Sequence, residues 1–387
     1  MSRITNPLRN KVAIVAAHAT MQGKHPDRSA WDLGVEAYRG ALASSGIAPA
    51  RIDGLLTQTA NGGQMDPSRF GQMVGLDPKV TGALTYGTAF FSIAYAAALI
   101  SSGQASVVAC VYATNQRSHG FANPADQIPA NERHGFFSAA GFAALGYQRY
   151  LHEYGRTADV DKLGAVAISQ RAFARLNPIA FRRDPMSWDD YLQDRWIAWP
   201  LRRSDICLIT DGGVALILAD ANLAADLVDQ PVHLLGLGRQ DALGGLARGD
   251  NLLIPQMRAT ATQLYERTGL GPGDVDNLQI QDAHASVILH TLENYGFCGA
   301  GEALDFIQDG RIGPGGPLPV NSGGGQLSEG YMVGWLHQVE AFRQLRGEAG
   351  ERQTSNCRIA QFCATGGARE YSGSLLYGTG AVAEMLA

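Results

Sequence analysis

Charged residues are scarce in this sequence, and cysteine is scarcer still. Of the 387 residues, 17% are Asp, Glu, Lys or Arg, and the formal net charge is −5. A mildly acidic charge that is spread along the chain argues against nucleic acid as the main partner. The five cysteines are odd in number and show no C-x-x-C spacing. This pattern argues against a disulfide framework or a zinc ribbon within the chain, and we expect no metal site.

A long hydrophobic run is also missing. The longest apolar stretch, residues 89–100, is interrupted by Ser92 and is shorter than the roughly 20 residues that a membrane-spanning helix needs. The first 15 residues run directly into a strand-like segment, without the apolar core and cleavage site of a signal peptide. We therefore expect a cytoplasmic protein that does not bind membranes.

Strand-like and helix-like segments alternate through the first third of the chain. Strands are predicted at 11–17, 52–59 and 106–113, and helices at 29–45 and 83–102. The second helix is small and apolar on all sides, so it should be buried between two sheets. This alternation is typical of an α/β fold with a mainly parallel sheet.

A ten-residue connector occurs twice and suggests a duplicated α/β domain. Residues 46–55, GIAPARIDGL, resemble residues 269–278, GLGPGDVDNL. In both, Gly ends an amphipathic helix and Pro prevents its continuation before a short apolar strand. We predict one domain at 1–230, which contains an inserted arginine-rich loop region at about 115–204, and a second domain at 231–387.

Four short motifs resemble the thiolase superfamily, most closely its sterol-carrier-type branch. They are TDGGVA at 210–215, GFCGAGE at 296–302, PVNSGGG at 319–325 and QLRG at 344–347. Each motif is weak alone, but their order and spacing extend the resemblance over nearly the whole chain. The resemblance implies the thiolase fold, in which two duplicated α/β domains form a five-layered αβαβα sandwich.

The family's nucleophilic cysteine is missing. In thiolases it lies at the start of the buried central helix, where the helix dipole lowers the pKa of the thiol. The corresponding segment here, residues 84–91, is LTYGTAFF, and Cys110 lies well downstream in a strand. Thr85 and Thr88 would be poor substitutes without an adjacent base. The resemblance therefore argues against covalent acyl transfer through a thiolate.

A tyrosine replaces the histidine of the family's G-H-P-x-G motif. The matching segment is GYMVG at 330–334, so Tyr331 takes the place of the histidine that helps to bind the thioester oxygen. Because SEGY at 328–331 follows a run of glycines, we expect it to open a helix and Gly330 to contribute to the oxyanion loop. A tyrosine there can donate to an oxyanion or exchange a proton with a substrate hydroxyl. The alternative role is a packing aromatic.

Two further motifs supply the other candidate catalytic residues. QDAH at 281–284 matches the family's N-E-A-F or H-D-C-F segment, so Gln281 corresponds to the residue that assists the oxyanion site. His284 either tunes the proton of Tyr331 or is a core histidine. CATGG at 363–367 resembles the C-x-G-x-G loop, in which Cys363 would move a proton and Gly366 would provide an N–H group. Cys363 could equally be a buried strand end.

A thiolase site without its nucleophile is suited to forming a thioester enolate. Here the chain resembles the superfamily's acyl-CoA aldolases, which remove steroid or aryl side chains by retro-aldol cleavage and release acetyl-CoA or propionyl-CoA. That resemblance implies a CoA thioester substrate, no covalently bound cofactor, a homodimer and a small OB-fold and zinc-ribbon partner protein. Two alternatives stay open: a non-catalytic acyl-CoA-binding subunit, and a Claisen acyltransferase with another nucleophile.

The inserted region offers candidate contacts for the CoA phosphates. Arginine suits phosphate because its planar guanidinium can donate two parallel hydrogen bonds. The alternative is a solvated face balanced by nearby aspartates. The candidate side chains are Arg171, Arg175, Arg182 and Arg183.

Overall fold

The computed structural model describes residues 6, 8–58, 65–120, 138–242, 252–366 and 369–387. Within them the strands are β1 (Val12–Ala19), β2 (Gly54–Gln58), β3 (Val80–Leu84), β4 (Val107–Thr114), β5 (Trp196–Ala198), β6 (Leu201–Arg202), β7 (Gly212–Asp220), β8 (Val232–Asp241), β9 (Asn277–Ile280), β10 (Ile359–Thr365) and β11 (Tyr371–Gly378). The α-helices are α1 (Ala30–Ser45), α2 (Pro67–Val74), α3 (Ala89–Ser101), α4 (Gln116–His119), α5 (Ala139–Glu153), α6 (Gly164–Leu176), α7 (Trp188–Leu192), α8 (Ala221–Leu227), α9 (Gln256–Thr268), α10 (Ser286–Asn294), α11 (Ala303–Phe306), α12 (Trp335–Arg346) and α13 (Gly380–Met385). A π-helix spans Gly325–Glu329.

The main sheet is built from two halves with the same topology. Its order is β3-β2-β4-β7-β1-β8-β11-β10-β9. In one half β2 and β4 are parallel while β7 and β1 run antiparallel, and β9, β10, β11 and β8 repeat this pattern in the other half. The halves meet where β1 pairs with β8 at two positions. The repeat supports the predicted duplication. The predicted domain boundary near residue 230 falls between α8 and β8, and its position stays a prediction.

Alternating side chains divide the core into layers. On β4, Val108 and Cys110 face one cluster while Val107 and Ala109 face another. The first cluster contains α3 and α12 together with the inner faces of both sheet halves, so these two helices lie between the halves. Outside them, α1 packs on the first half and α9 on the second. The arrangement has the five layers that the motifs predict.

The start of the central helix differs from the prediction. Residues 80–84 form strand β3 instead of leading into a helix at residue 83, and α3 begins only at Ala89. Gly87 lies between them at a φ of 83°, a left-handed conformation that glycine adopts without strain. The small apolar residues on both sides hide this break, because they give a helix and a buried strand the same pattern.

The exposed edge of the first half is β3. The apolar strand predicted at 106–113 is β4 and is paired on both sides, with β2 and with β7. Within the described residues β3 pairs only with β2, and its side chains alternate between half-buried and exposed. Any strand pairing between two copies at this end of the sheet therefore involves β3.

The inserted region leaves after β4 and returns before β7. It carries α4 to α7, a two-stranded hairpin of β5 and β6, and a 3-10 helix at Thr157–Leu163. After the inserted region, strand β7 begins only at Gly212. The intervening residues bond elsewhere: the N–H group of Cys207 donates to Ala283 O and that of Leu208 to Gln326 O. Among the described helices, none is long and apolar enough to cross a membrane.

Candidate active site

The head of α3 lies against the segment that contains Tyr331. Thr88 is the N-cap, and the N–H group of Ala89 donates to Val333 O at 3.0 Å. The hydroxyl of Tyr371 donates to Thr88 Oγ1 at 3.1 Å. Since Thr88 and Ala89 stand where a thiolase has its nucleophile, the helix dipole has no thiol to act on.

An aromatic wall of Tyr86, Phe91 and Tyr371 stands beside this helix head. The rings of Phe91 and Tyr371 meet edge to face, with centroids 4.8 Å apart, and Tyr86 lies 5.5 Å from Phe91. The guanidinium of Arg239 stacks 4.7 Å from the Phe91 ring centroid. The hydroxyl of Tyr86, a residue that is 51% exposed, donates to Glu370. An apolar wall with an exposed end suits a bulky apolar ligand.

Tyr331 lies in an irregular segment rather than in the first turn of a helix. It follows the π-helix, and α12 begins four residues later, at Trp335. The prediction that 328–331 opens a helix is therefore wrong. Two positions in this segment require glycine. A Cβ at Gly330 would lie 2.7 Å from Gln22 Oε1, and Gly334 has a left-handed φ of 86° directly before α12.

The phenol of Tyr331 is a proton donor in this setting. The residue is half-buried against the central cluster, and its N–H group donates to Thr210 Oγ1 at 2.9 Å. Burial raises the pKa of Tyr331 well above its ordinary value of 10.0, and nearby Cys207 and Tyr112 raise it further. A phenol with a raised pKa stays protonated at neutral pH, so it can donate a hydrogen bond but is a poor base.

His284 and Gln281 flank the same region. Nδ1 of His284 lies 2.8 Å from Ser286 Oγ. Burial, with Arg369 adding to it, lowers the pKa of His284 to about 3, so the imidazole is neutral at physiological pH. The buried Oε1 of Gln281 has no hydrogen-bond partner among the described residues and lies 3.4 Å from the position of a Cβ on Gly334.

Cys207 is a site residue that the sequence motifs did not reveal. Its N–H group donates to Ala283 O at 3.1 Å, and its thiol is close enough to Tyr331 to influence the phenol's pKa. Burial raises the pKa of Cys207 to about 12, so the thiol is protonated. The sequence feature that could have pointed to Cys207 is its place three residues before the TDGGVA motif.

Cys363 is not brought together with Tyr331. It is 1% exposed and faces the outer cluster of the second half, and the central cluster contains the adjacent Phe362. Its sulfur lies 3.6 Å from Ser374 Oγ, and Gln361 Nε2 donates to it at 3.4 Å. Burial raises the pKa of this thiol to about 12.

The two candidate oxyanion glycines already use their N–H groups within the chain. Gly366 donates to Tyr371 O at 3.3 Å, and Gly330 donates to Gly325 O at 3.4 Å. Gly367, the next glycine of the C-x-G-x-G-like loop, lies outside the described residues. Side-chain donors are therefore better candidates for an oxyanion site than these two N–H groups.

The candidate phosphate contacts form an arginine cluster beside Ser328. Arg171 is buried, and its guanidinium donates to Ser328 Oγ at 3.0 Å and to Asp184 O at 3.3 Å. The N–H group of Arg182 donates to Ser328 O, and Nη2 of Arg183 to Arg175 O. Across the described ranges, none of these four side chains has a carboxylate within 4 Å. Three of them remain accessible to an anion.

Comparison with known proteins gives a consistent set of relatives. Residues 244–379 match the thiolase C-terminal domain-like family. The chain is 34% identical to the steroid side-chain-cleaving aldolase of Thermomonospora curvata over 360 residues, which cover 88% of this chain and 91% of the relative. It is 35% identical to the 17-hydroxy-3-oxo-4-pregnene-20-carboxyl-CoA lyase of Mycobacterium tuberculosis over 366 residues, which cover 88% and 92%.

Solved structures extend the likeness to the whole fold. The Ltp2-ChsH2(DUF35) aldolase superimposes with a TM-score of 0.87 at 33% identity, over 96% of this chain and 98% of that chain. Human mitochondrial 3-ketoacyl-CoA thiolase superimposes with a TM-score of 0.71 at 16% identity, over 96% and 100%. The second likeness concerns the fold alone, and it confirms the five-layered fold predicted from the motifs.

Proposed function

This chain belongs to the thiolase superfamily, close to the steroid side-chain-cleaving aldolases, and we propose that it cleaves a β-hydroxyacyl-CoA by a retro-aldol reaction. It is a carbon–carbon lyase that acts on a CoA thioester. The observation that carries the reaction class is the helix head of α3, where Thr88 and Ala89 replace the nucleophile while Tyr331 lies on the adjoining segment. A site without a nucleophile can still break a bond between the α- and β-carbons.

The reaction assigns separate tasks to three side chains. The β-hydroxyl gives its proton to the neutral imidazole of His284, the bond between the α- and β-carbons breaks, and its electrons form the enolate of the short acyl-CoA. Tyr331 and Gln281 donate hydrogen bonds to the enolate oxygen, a type of contact worth about 3–4 kcal/mol in other enzymes. The imidazole passes this proton on to the α-carbon without accumulating as imidazolium, because burial lowers the pKa of His284 to about 3. Cys363 has no task because its thiol faces the outer layer.

The substrate is proposed to be a steroid acyl-CoA. The two curated relatives are a steroid side-chain-cleaving aldolase and a pregnene-carboxyl-CoA lyase. The aromatic wall of Tyr86, Phe91 and Tyr371 would pack against the rings of such a substrate. The products would be a steroid ketone or aldehyde together with acetyl-CoA or propionyl-CoA.

The CoA phosphates are proposed to bind the three accessible arginines of the arginine cluster, Arg175, Arg182 and Arg183. Two observations support this: the cluster lies beside Ser328, and it has no carboxylate neighbour within the described part of the chain. Arg171, which is buried, would hold this surface in place. Changing the three accessible arginines to glutamate should raise KM for acyl-CoA at least tenfold and leave kcat within about threefold. An unchanged KM would contradict the assignment.

The active assembly is proposed to contain a second protein. The solved Ltp2-ChsH2(DUF35) aldolase is an assembly of that kind. The partner of this chain would be a small protein with an OB fold and a zinc ribbon, and two copies of this chain would form the core of the complex.

The proposed activity can be tested against both alternatives in one experiment. The chain, co-expressed with its native partner, is incubated with a β-hydroxyacyl-CoA whose acyl group is the side chain of a steroid. We expect release of the ketone and of a short acyl-CoA, with no mass added to the intact protein. An acyl adduct on any cysteine would instead support a Claisen acyltransferase. Tight acyl-CoA binding without cleavage, with the partner present, would support a non-catalytic subunit.

A further inference from the structure

A buried polar cluster lies directly behind the candidate site. It consists of Gln170 on α6, Asp282 in the loop after β9, Gln326 in the π-helix and His337 on α12, each at most 2% exposed. Asp282 Oδ1 accepts hydrogen bonds from the Gln326 N–H group at 2.9 Å and from His337 Nε2 at 3.0 Å. One carboxylate oxygen therefore joins three elements of the fold.

Several polar atoms of this cluster have no protein partner. Within the described residues, Asp282 Oδ2, His337 Nδ1 and both side-chain polar atoms of Gln170 and of Gln326 make no hydrogen bond. Asp282 Oδ2 and Gln170 Oε1 converge on Gly325: a Cβ there would lie 2.5 Å from the first and 2.6 Å from the second. Buried polar groups are normally satisfied by protein or by ordered water, so this space suits water molecules.

The position of Asp282 connects the two segments that carry the site. Asp282 directly follows Gln281 and lies two residues before His284. The N–H group that it binds belongs to Gln326, and the π-helix that contains Gln326 leads into Gly330 and Tyr331. The Asp282 carboxylate therefore holds the loop with Gln281 and His284 against the segment with Tyr331, and His337 holds the carboxylate.

We propose that Asp282 and His337 are a positioning pair, which fixes Gln281 and His284 relative to Tyr331 through the buried polar cluster. Neither side chain needs to touch the substrate. Side chains that orient catalytic groups through a fixed hydrogen bond matter because a displacement of about 1 Å in a catalytic group can lower the rate about 100-fold. The inference rests on the proposed function for its kinetic consequence, but the positioning itself can be measured without a substrate.

Two substitutions of His337 separate positioning from packing. His337→Gln keeps a nitrogen donor near the place of Nε2, whereas His337→Phe keeps the ring volume and removes the donor. We expect His337→Phe to lower kcat at least tenfold with KM within threefold of the wild type, and His337→Gln to recover most of kcat. His233→Phe, on β8, is the matched control and should retain full activity. Loss of kcat in both variants at position 337, or in neither, would overturn the proposal.

Hydrogen exchange measured by mass spectrometry reads the positioning directly. In His337→Phe and in Asp282→Asn, amide exchange should become faster in residues 281–286 and 325–331 and stay unchanged in α1. If exchange becomes faster in those segments of the variants but the wild type shows no lyase activity, the positioning pair is kept and the proposed function is rejected. If the wild type cleaves the substrate but both variants exchange at the same rate as the wild type in those segments, the positioning pair is rejected and the proposed function is kept. If His337→Phe does not fold, Asp282→Asn carries the same test.

Discussion

The hydroxyl of Tyr331 can be removed without disturbing the packing of its ring. Tyr331→Phe keeps the contacts with the central cluster and deletes only the proton donor. Loss of one hydrogen-bond donor to an oxyanion typically costs roughly 10²–10³-fold in rate, about 3–4 kcal/mol of barrier. We expect kcat for β-hydroxyacyl-CoA cleavage to fall by this factor, and steady-state kinetics on the folded variant measures it.

Tyr147→Phe is the control for this prediction. Its hydroxyl donates to Val160 O at 2.8 Å, and its ring is buried in the outer cluster of the second half. Its loss should lower the melting temperature and leave kcat within about threefold. Nearly full activity in Tyr331→Phe would show that the phenol takes no part in the reaction.

At the scale of residues, the sequence predicts roles only for those side chains that lie within a recognisable motif. Tyr331, Gln281 and His284 stand in registered positions, whereas Cys207 and His337 do not. Cys207 and His337 lie near the candidate site only because the fold brings their segments there. They are far from the motif residues in the sequence, so no local pattern predicts the contact. Cys363 also lies within a motif, but alternation along β10 turns its side chain to the outer layer, which the motif alone does not predict.

At the scale of elements, Glu329 makes the π-helix sensitive to pH. It is buried, and Asn177 Nδ2 donates to its Oε1 at 3.0 Å. Burial, with a smaller effect from Glu340, raises the pKa of Glu329 from 4.5 to about 8. Folding therefore favours the protonated acid, so its contribution to stability is complete below pH 4.5 and is lost as the pH rises to 8.

Glu329→Gln tests this sign, since glutamine imitates the protonated acid at every pH. Relative to this variant, the wild type should lose stability between about pH 4.5 and 8, by up to about 1.4 kcal/mol per pH unit. Urea denaturation of both proteins at several pH values measures the difference in the free energy of unfolding. A difference that does not change with pH would mean that the carboxyl of Glu329 is ionised throughout.

The TDGGVA motif stabilises the molecule through Asp211. The carboxylate accepts the N–H groups of His25 and Arg117, both at 2.8 Å, and that of Ser118 at 3.2 Å. Hydrogen bonds to a charged group contribute roughly 1.5–3 kcal/mol each. Because an amide in the same place keeps the acceptor oxygen but loses the charge, we expect Asp211→Asn to lower the free energy of unfolding by roughly 2–4 kcal/mol in urea denaturation.

The matched substitution is Asp220→Asn, at the half-buried N-cap of α8. Its carboxylate accepts the N–H group of Asn222 at 2.8 Å, and asparagine is as good an N-cap as aspartate. The loss there should be below about 0.5 kcal/mol. Equal losses in the two variants would mean that the buried hydrogen bonds of Asp211 add nothing beyond an ordinary cap.

The predicted elements agree with the structure where an amphipathic pattern and a cap occur together. Helix α1 follows Ser29, whose side chain accepts the N–H group of Asp32, and it ends before Gly46 in the left-handed conformation. Where apolar residues predominate without a clear period, as from Val80 to Ile100, composition could not distinguish strand from helix. The π-helix was equally hidden, since contacts with Asp282 and Arg171 shape it rather than its own sequence.

At the scale of the whole molecule, the duplicated connector correctly indicated two similar halves. Both copies of the connector contain a 3-10 turn, at Pro49–Arg51 and Pro272–Asp274, and lead into equivalent strands, β2 and β9. The pairing of β1 with β8, which makes one sheet of the two halves, could not be predicted. It covers only two positions and depends on how the halves pack around α3 and α12.

Among the described residues, β3 forms strand pairs only with β2, and this edge predicts how two copies of the chain associate. An edge strand exposes a row of backbone donors and acceptors that a second strand can complete. Next to it, Tyr95 of α3 is 43% exposed and lies against Gly82. We expect a homodimer in which β3 pairs with β3 of a second copy, with a mass in solution of twice the 41.2 kDa of one chain. Light scattering after gel filtration at micromolar concentration measures this mass.

Ala83→Lys tests the edge itself. Ala83 is exposed on β3, and two copies of a lysine would face each other across the contact, where like charges oppose pairing. We expect this variant to run as a monomer with an unchanged circular dichroism spectrum, because the side chain points away from the core of its own chain. Met385→Lys, at a position that is 70% exposed on α13, should remain dimeric. A wild-type monomer, or an Ala83→Lys variant that stays dimeric, would place any contact between copies elsewhere than on β3.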